Sequence, residues 1–318
     1  MRGQARPESA QVSDLSFAMA PTLNYVPCPD QGHGHRMAYW SWGDAAAPHV
    51  VVCVHGLSRQ GRDFDTLAAA LIARSPAPLR VVCPDVAGRG RSEWLQDPQG
   101  YQLPTYAADM VAMLAQLHAE APMRELSWVG TSMGGLIGMA LAGTPKLPLP
   151  VAMTRLVLND VGPAIQWQAL QRIGTYIGNT GRFSTVQQAA DAMWQISTGF
   201  GPHTPEQWLA LSGPMVRPVP EGGYTLHYDP AIAVPFRDVT EESAAKGQAA
   251  IWALYDAITA RTLLLRGGDS DLLSHETAQA MTQRGPRARL VEFAGVGHAP
   301  TLVAPDQVDV VASFLLAP

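Results

Sequence analysis

The chain has 318 residues, 47% of them hydrophobic and 15% charged, with a formal net charge of −5. That length and apolar share allow one large α/β domain carrying an insertion and exclude a chain too polar to bury a core. The acidic balance, without a lysine or arginine cluster, argues against a nucleic-acid partner, and no apolar run has the about 20 residues a membrane span needs.

Residues 1–21 read as an N-terminal extension. The stretch ending in Ala18-Met19-Ala20 has a faint likeness to a signal cleavage site, but Glu8 and Asp14 interrupt the apolar segment a signal requires, so a cytoplasmic protein is expected. Cys28, Cys53 and Cys83 are too few and too odd in number for a disulfide framework. Cys53 and Cys83 lie in apolar strand-like runs and are expected as buried thiols in a reducing compartment.

Leu23 to Val26 and Arg36 to Trp42 read as two strands joined by a turn around Asp30 to Gly34. His33 and His35 flank Gly34 in that turn, where no third ligand is evident, so no metal is expected. Short, nearly continuous apolar runs follow, of the kind buried on both faces of a parallel sheet: Val50 to Val54, Leu79 to Cys83, Leu126 to Val129, Leu156 to Leu158, Thr262 to Leu265 and Arg289 to Phe293. Helical patterns at Phe64 to Ala73, Tyr106 to Ala119, Leu136 to Gly143, Glu276 to Arg284 and Gln307 to Leu316 alternate with them. Such alternation predicts a doubly wound, mostly parallel sheet with helices on both faces.

The turns after these strands carry the chemistry. His55-Gly56-Leu57 leaves the first run with a glycine that allows close backbone approach, which makes the Leu57 N–H a candidate oxyanion donor. Gly130-Thr131-Ser132-Met133-Gly134 sets a serine between two glycines where a strand runs into a helix, the build of a nucleophile elbow. The Met133 N–H then becomes the second donor, at a helix N-terminus. The competing reading of Ser132 is an ordinary helix cap.

Asp160 ends the next strand, in Asn159-Asp160-Val161-Gly162, and is read first as a carboxylate holding the turn that follows. About a hundred residues then pass without a clear buried strand. This segment is rich in aromatic residues, among them Trp194 and Trp208, and Thr185 to Ile196 is amphipathic and helical. It is expected as a helical cap over the C-terminal edge of the sheet, over residues 161–259, with Trp194 and Trp208 in the substrate pocket. The core would comprise 22–160 and 260–318.

A serine hydroxyl needs a base, and the base needs an orienting group. His298, in the glycine-rich loop Gly295-Val296-Gly297-His298 after the last strand, is the expected base. Two acids compete in Gly267-Gly268-Asp269-Ser270-Asp271-Leu272-Leu273: Asp271, beside anchoring leucines, is preferred over Asp269, with Asp160 as a third possibility.

His55-Gly56, the run Pro84 to Ser92, the elbow and Gly297-His298 together resemble the α/β-hydrolase superfamily over about residues 22–317. The resemblance implies an eight-stranded sheet with an inserted cap, Ser132 as nucleophile, His298 as base and Asp271 as acid. Dehalogenases and epoxide hydrolases of similar layout use aspartate at the elbow, and Ser132 argues against both. Asp85, Arg89 and Arg91 match a family loop and are expected to be structural, the arginines pairing carboxylates or loop carbonyls.

The expected activity is hydrolysis of carboxylic esters of small or medium acyl groups through an acyl-enzyme, without a cofactor and with a small-molecule ester as substrate. Lactone hydrolysis, carbon–carbon bond hydrolysis and perhydrolysis use the same machinery and stay open. A non-catalytic small-ligand receptor on this fold is the alternative of a different class.

Overall fold

The computed structural model describes residues 20–29 and 34–317. The extension over 1–19 and the turn at 30–33, including His33, lie outside the described residues. Eight strands form the main sheet: β1 (Thr22–Cys28), β2 (His35–Gly43), β3 (His49–Val54), β4 (Leu79–Pro84), β5 (Glu125–Thr131), β6 (Met153–Asn159), β9 (Arg261–Gly267) and β10 (Arg289–Phe293). Their order is β1-β2-β4-β3-β5-β6-β9-β10. The β1–β2 and β2–β4 pairs are antiparallel, and β4, β3, β5, β6, β9 and β10 run parallel.

Alternation along the strands explains why the apolar runs are continuous. In β3, Val50, Val52 and Val54 face one core, while Val51 and Cys53 face the other. The first core is closed by α2 (Leu103–Glu120), α3 (Met133–Gly143) and α9 (His275–Gln283), the second by α1 (Asp65–Arg74) and α10 (Pro305–Leu315). A strand buried on both faces has no polar positions to spare, so its sequence loses the period-two pattern. Cys28, Cys53 and Cys83 are free and buried.

The chain turns back from β3 to opposite sides, towards β4 and β5, so a crevice opens at the carboxyl ends of the parallel strands. Every motif singled out above follows one of those ends: His55 after β3, Asp85 after β4, Ser132 after β5, Asp160 after β6, Ser270 after β9 and His298 after β10.

Between β6 and β9 the chain forms α4 (Trp167–Tyr176), α5 (Val186–Ser197), α6 (Pro205–Ser212), the antiparallel pair β7 (Val216–Pro218) and β8 (Tyr224–Leu226), α7 (Val234–Arg237) and α8 (Glu241–Asp256). A small core of Ala189, Ala190, Met193, Trp208, Leu211 and Met215 holds its middle together. The segment docks on the sheet edge through backbone: Gly90 N–H donates to His227 C=O at 2.9 Å, and Asp229 N–H to Gly88 C=O at 2.7 Å. Its last helix behaves differently. A Cβ at Gly143 would lie 2.1 Å from the Leu254 carbonyl oxygen, so α8 packs directly on α3 as part of the helical layer. Among the described residues no helix is long and apolar enough to cross a membrane.

Candidate active site

Close packing creates the elbow. A Cβ at Gly134 would sit 2.0 Å from the Val54 carbonyl oxygen, and one at Gly130 would sit 2.3 Å from the Gly134 backbone, so neither position admits a side chain. Ser132 is held at φ 52°, a left-handed conformation costly for a residue with a Cβ. Trp128 fixes the turn from below, its buried indole N–H donating to Gly134 C=O at 3.0 Å. Ser132 caps nothing with its hydroxyl. Its Oγ instead lies 3.0 Å from His298 Nε2.

His298 Nδ1 lies 2.7 Å from Asp160 Oδ2. Because a carboxylate only accepts, Nδ1–H is the donor, and Nε2 is left to accept from the serine hydroxyl. Asp160 is fully buried and accepts two further bonds, from Gly267 N–H at 2.8 Å and from Ser270 Oγ–H at 2.6 Å. Its own backbone is left-handed, at φ 54°. Asn159 donates to Thr131 Oγ1 at 2.9 Å and to Pro300 C=O at 2.8 Å, tying the elbow to the His298 loop. A chain of this kind can pass a proton from serine to imidazole while the carboxylate steadies the resulting cation.

The carboxylate on His298 is therefore Asp160, which corrects the expectation for Asp271. Asp271 is half-exposed and forms a bidentate ion pair with Arg172 on α4, at 2.8 and 2.9 Å. Asp269 is on the same turn and also does not bond His298. The expectation favoured Asp271 because Leu272 and Leu273 beside it could anchor a buried carboxylate. Since β6 and β9 are adjacent and parallel, acids at either end can reach the same histidine, and the β9 turn supplies the N–H and O–H groups that hold Asp160. A signal was present: a polar Asn-Asp pair ending an apolar strand, followed by glycine.

The loop after β3 is held at both peptides around Leu57. His55 is fully buried; its Nε2 accepts from Val86 N–H at 2.9 Å, so its Nδ1–H donates to Gly56 C=O at 2.7 Å. Burial pushes the His55 imidazole down to about 3, which keeps it neutral as this pattern requires. Arg89, also fully buried, donates from Nε to Leu57 C=O at 2.8 Å and from Nη1 to Ala87 C=O at 2.6 Å and Tyr106 Oη at 2.9 Å. Its Nη2 lies 3.8 Å from Met133 Sδ. One arginine thus touches both residues whose N–H groups were expected to serve as oxyanion donors. Asp85 accepts from Gly61 N–H at 2.7 Å and Arg91 N–H at 2.8 Å, and burial raises its carboxyl to about 6.

A cavity of about 400 Å³ opens above Ser132 and His298, between the sheet edge and the inserted segment. Ile173, Tyr176, Met193, Ile196, Phe200 and Tyr228 give it an apolar wall. Trp194 and Trp208 do not line it, which corrects the second expectation. Trp208 is buried in the segment's own core, donating its indole N–H to Ala190 C=O at 2.8 Å, and Trp194 packs edge-on against it at 5.0 Å between ring centroids. On α5, Met193 and Ile196 face the cavity instead.

Away from this site, Cys28, His35 and Asp109 bring ligand-type atoms within 4.8 Å of one another in a buried cluster. His35 Nε2–H donates to Asp109 Oδ2 at 3.0 Å, and burial holds the Cys28 thiol protonated by pushing its pKa far up.

The chain matches the Alpha/beta hydrolase family over residues 51–312 and belongs to that family. It is a hydrolase. It is 49% identical over 301 residues to the 3-hydroxybutyrate-oligomer hydrolase of Cupriavidus necator, covering 94% of this chain and 99% of that one. An esterase of Mycobacterium tuberculosis is 26% identical over 255 residues, 79% of this chain and 76% of the relative. Among solved structures, an alpha/beta hydrolase from Novosphingobium aromaticivorans superposes with a TM-score of 0.78 at 34% identity, covering 93% of this chain and 98% of that one.

Proposed function

We propose that this protein is a serine ester hydrolase that cleaves short linear oligoesters of hydroxy acids, of the 3-hydroxybutyrate kind, with the segment after Asp160 acting as its cap. The observation that carries the chemistry is the chain of two hydrogen bonds from Ser132 through His298 to buried Asp160, at 3.0 and 2.7 Å, at the floor of the cavity. The likeness to the oligomer hydrolase, spread over nearly the whole of both chains, supports the substrate class.

In this reading the ester carbonyl lies over Ser132. Ser132 Oγ attacks the carbonyl carbon as its proton passes to His298 Nε2, and Asp160 stabilises the imidazolium. The carbonyl oxygen gains the negative charge and is received by the N–H groups of Leu57 and Met133. The first is aimed by the His55 and Arg89 bonds to its flanking carbonyls, the second by its place at the start of α3. Collapse breaks the C–O bond, and the leaving alkoxide takes the proton from His298. Water, deprotonated by the same imidazole, then attacks the acyl-Ser132 ester and releases the acid.

A cavity of about 400 Å³ falls at the small-ligand end of binding-site sizes, and its apolar wall suits short methyl-branched ester units rather than a folded polymer. The test is direct. The protein should release 3-hydroxybutyrate from its linear dimer and trimer, and an organophosphonate should add once to the wild type and not at all to Ser132→Ala. Absence of turnover on every ester, with no adduct, refutes this reading.

A further inference from the structure

The charged residues lining the cavity are of one sign. Arg59 and Arg172 line it, and among the described residues no aspartate or glutamate does. The carboxylates that pair these arginines, Asp63 and Asp271, stand outside the cavity wall. Both arginines are ion-paired, so what the wall offers a ligand is guanidinium donors with no carboxylate beside them, a set that suits an anionic group.

The two arginines differ in depth. Arg172 sits in an exposed ion pair, with 42% of its side chain accessible, where water screens it. Arg59 has 13% accessible and follows the oxyanion loop by two residues. The point where a Gly56 Cβ would stand is 3.6 Å from Ser132 Cβ and 3.8 Å from Arg59 Cγ, so the arginine's stem runs beside the nucleophile. Its guanidinium forks Asp63 through Nε and Nη2 at 2.6 and 2.8 Å, and Nη2 also reaches Leu211 C=O at 3.4 Å. Among the described residues nothing accepts a hydrogen bond from Nη1. The fork presets the plane of the guanidinium, and Phe200, which lines the cavity, lies 5.9 Å from its Cζ.

We infer that Arg59 is a specificity-determining residue whose Nη1 edge binds the free carboxylate of the substrate, so that the enzyme selects acid-terminated oligoesters over neutral esters of the same length. The inference rests on the oligoester reading above and adds the group by which the substrate is recognised. A linear hydroxy-acid oligomer ends in one carboxylate. A neutral alkyl ester offers no such group and leaves the Nη1 donor without its partner.

The experiment compares the linear 3-hydroxybutyrate dimer with its methyl ester, in which a methyl group replaces that charge, and reads cleavage of the inner ester bond the two share. The free acid should show kcat/KM at least about tenfold higher, mostly through KM, as expected for one charge-assisted hydrogen bond. In Arg59→Gln the ratio should collapse towards one, and Arg59→Lys should restore part of it. Calorimetry on Ser132→Ala protein, which cannot turn over, should give the same order of affinities. Equal affinity and equal turnover of acid and methyl ester overturn the inference. So does loss of the preference in Arg172→Gln with its retention in Arg59→Gln. Preferential binding of the acid without hydrolysis of either compound leaves the carboxylate site standing and refutes the oligoester hydrolase reading instead.

Discussion

The floor of the site and the segment that covers it are built by different rules. On the floor, His55, Arg89 and Asp160 are fully buried, and each makes two or more hydrogen bonds with named partners. In the inserted segment the cavity wall is mostly apolar, the segment's own core holds only six buried hydrophobic residues, and Ile196 is 56% exposed. Buried polar networks hold one geometry because each unmade bond is costly. Apolar walls tolerate exchange because their contacts have no direction. The floor therefore suits a reaction fixed in its geometry, and the wall suits selection among similar chains.

The sharpest way to break that contrast is at the acid. Asp160→Asn should lower kcat by about 10⁴-fold, because the amide favours the wrong imidazole tautomer. Asp271→Asn should leave kcat nearly unchanged, since an exposed ion pair contributes about 0–1 kcal/mol. Steady-state kinetics on both variants decides between them, and a crippled Asp271→Asn would overturn the assignment of Asp160.

Arg89→Met should come next, with kcat down about 100-fold and KM little changed, the pattern expected when an oxyanion donor loses its aim. A rise in KM alone would put Arg89 in ground-state binding.

The pH dependence of stability tests the floor from another side. The unfolded chain takes up a proton at His55 near 6.5 and the folded protein only near 3. This contribution is complete above 6.5 and falls by about 1.4 kcal/mol per pH unit as the pH drops towards 3. Denaturant midpoints between pH 7.5 and 5 should show the decline, and His55→Gln should flatten it. An unchanged slope in that variant would assign the acid sensitivity elsewhere.

The smallest effects belong to the wall. Met193→Ala and Phe200→Ala should shift preference between dimer and trimer by several-fold, up to about tenfold. Trp208→Ala should lower thermal stability and change selectivity less than either. If Trp208→Ala shifted chain-length preference most, the division between lining and core on α5 and α6 would be wrong.

Much of this was legible in the chain. Runs such as Val50 to Val54 announce buried parallel strands because only apolar residues survive on both faces. The elbow is legible because the approach of Gly134 to Val54 leaves no room for a Cβ, a local constraint that writes glycine into the sequence. His298 is legible from its glycine-rich turn after the last strand. The helices Trp167–Tyr176 and Glu241–Asp256 and the Val216–Pro218/Tyr224–Leu226 pair are less so. Their faces are set by docking on a core distant in sequence, as when Leu254 meets Gly143.

What the sequence determined by itself is therefore the set of reactive groups and the sheet edge from which they emerge, because strand burial and tight turns impose residue types locally. Only the tertiary structure decided which carboxylate meets His298 and which side of α5 faces the cavity. Asp160 and Asp271 end or follow neighbouring parallel strands and are chemically alike. Their difference, burial with N–H donors against exposure beside Arg172, arises from contacts more than a hundred residues apart in one case and nearly a hundred in the other.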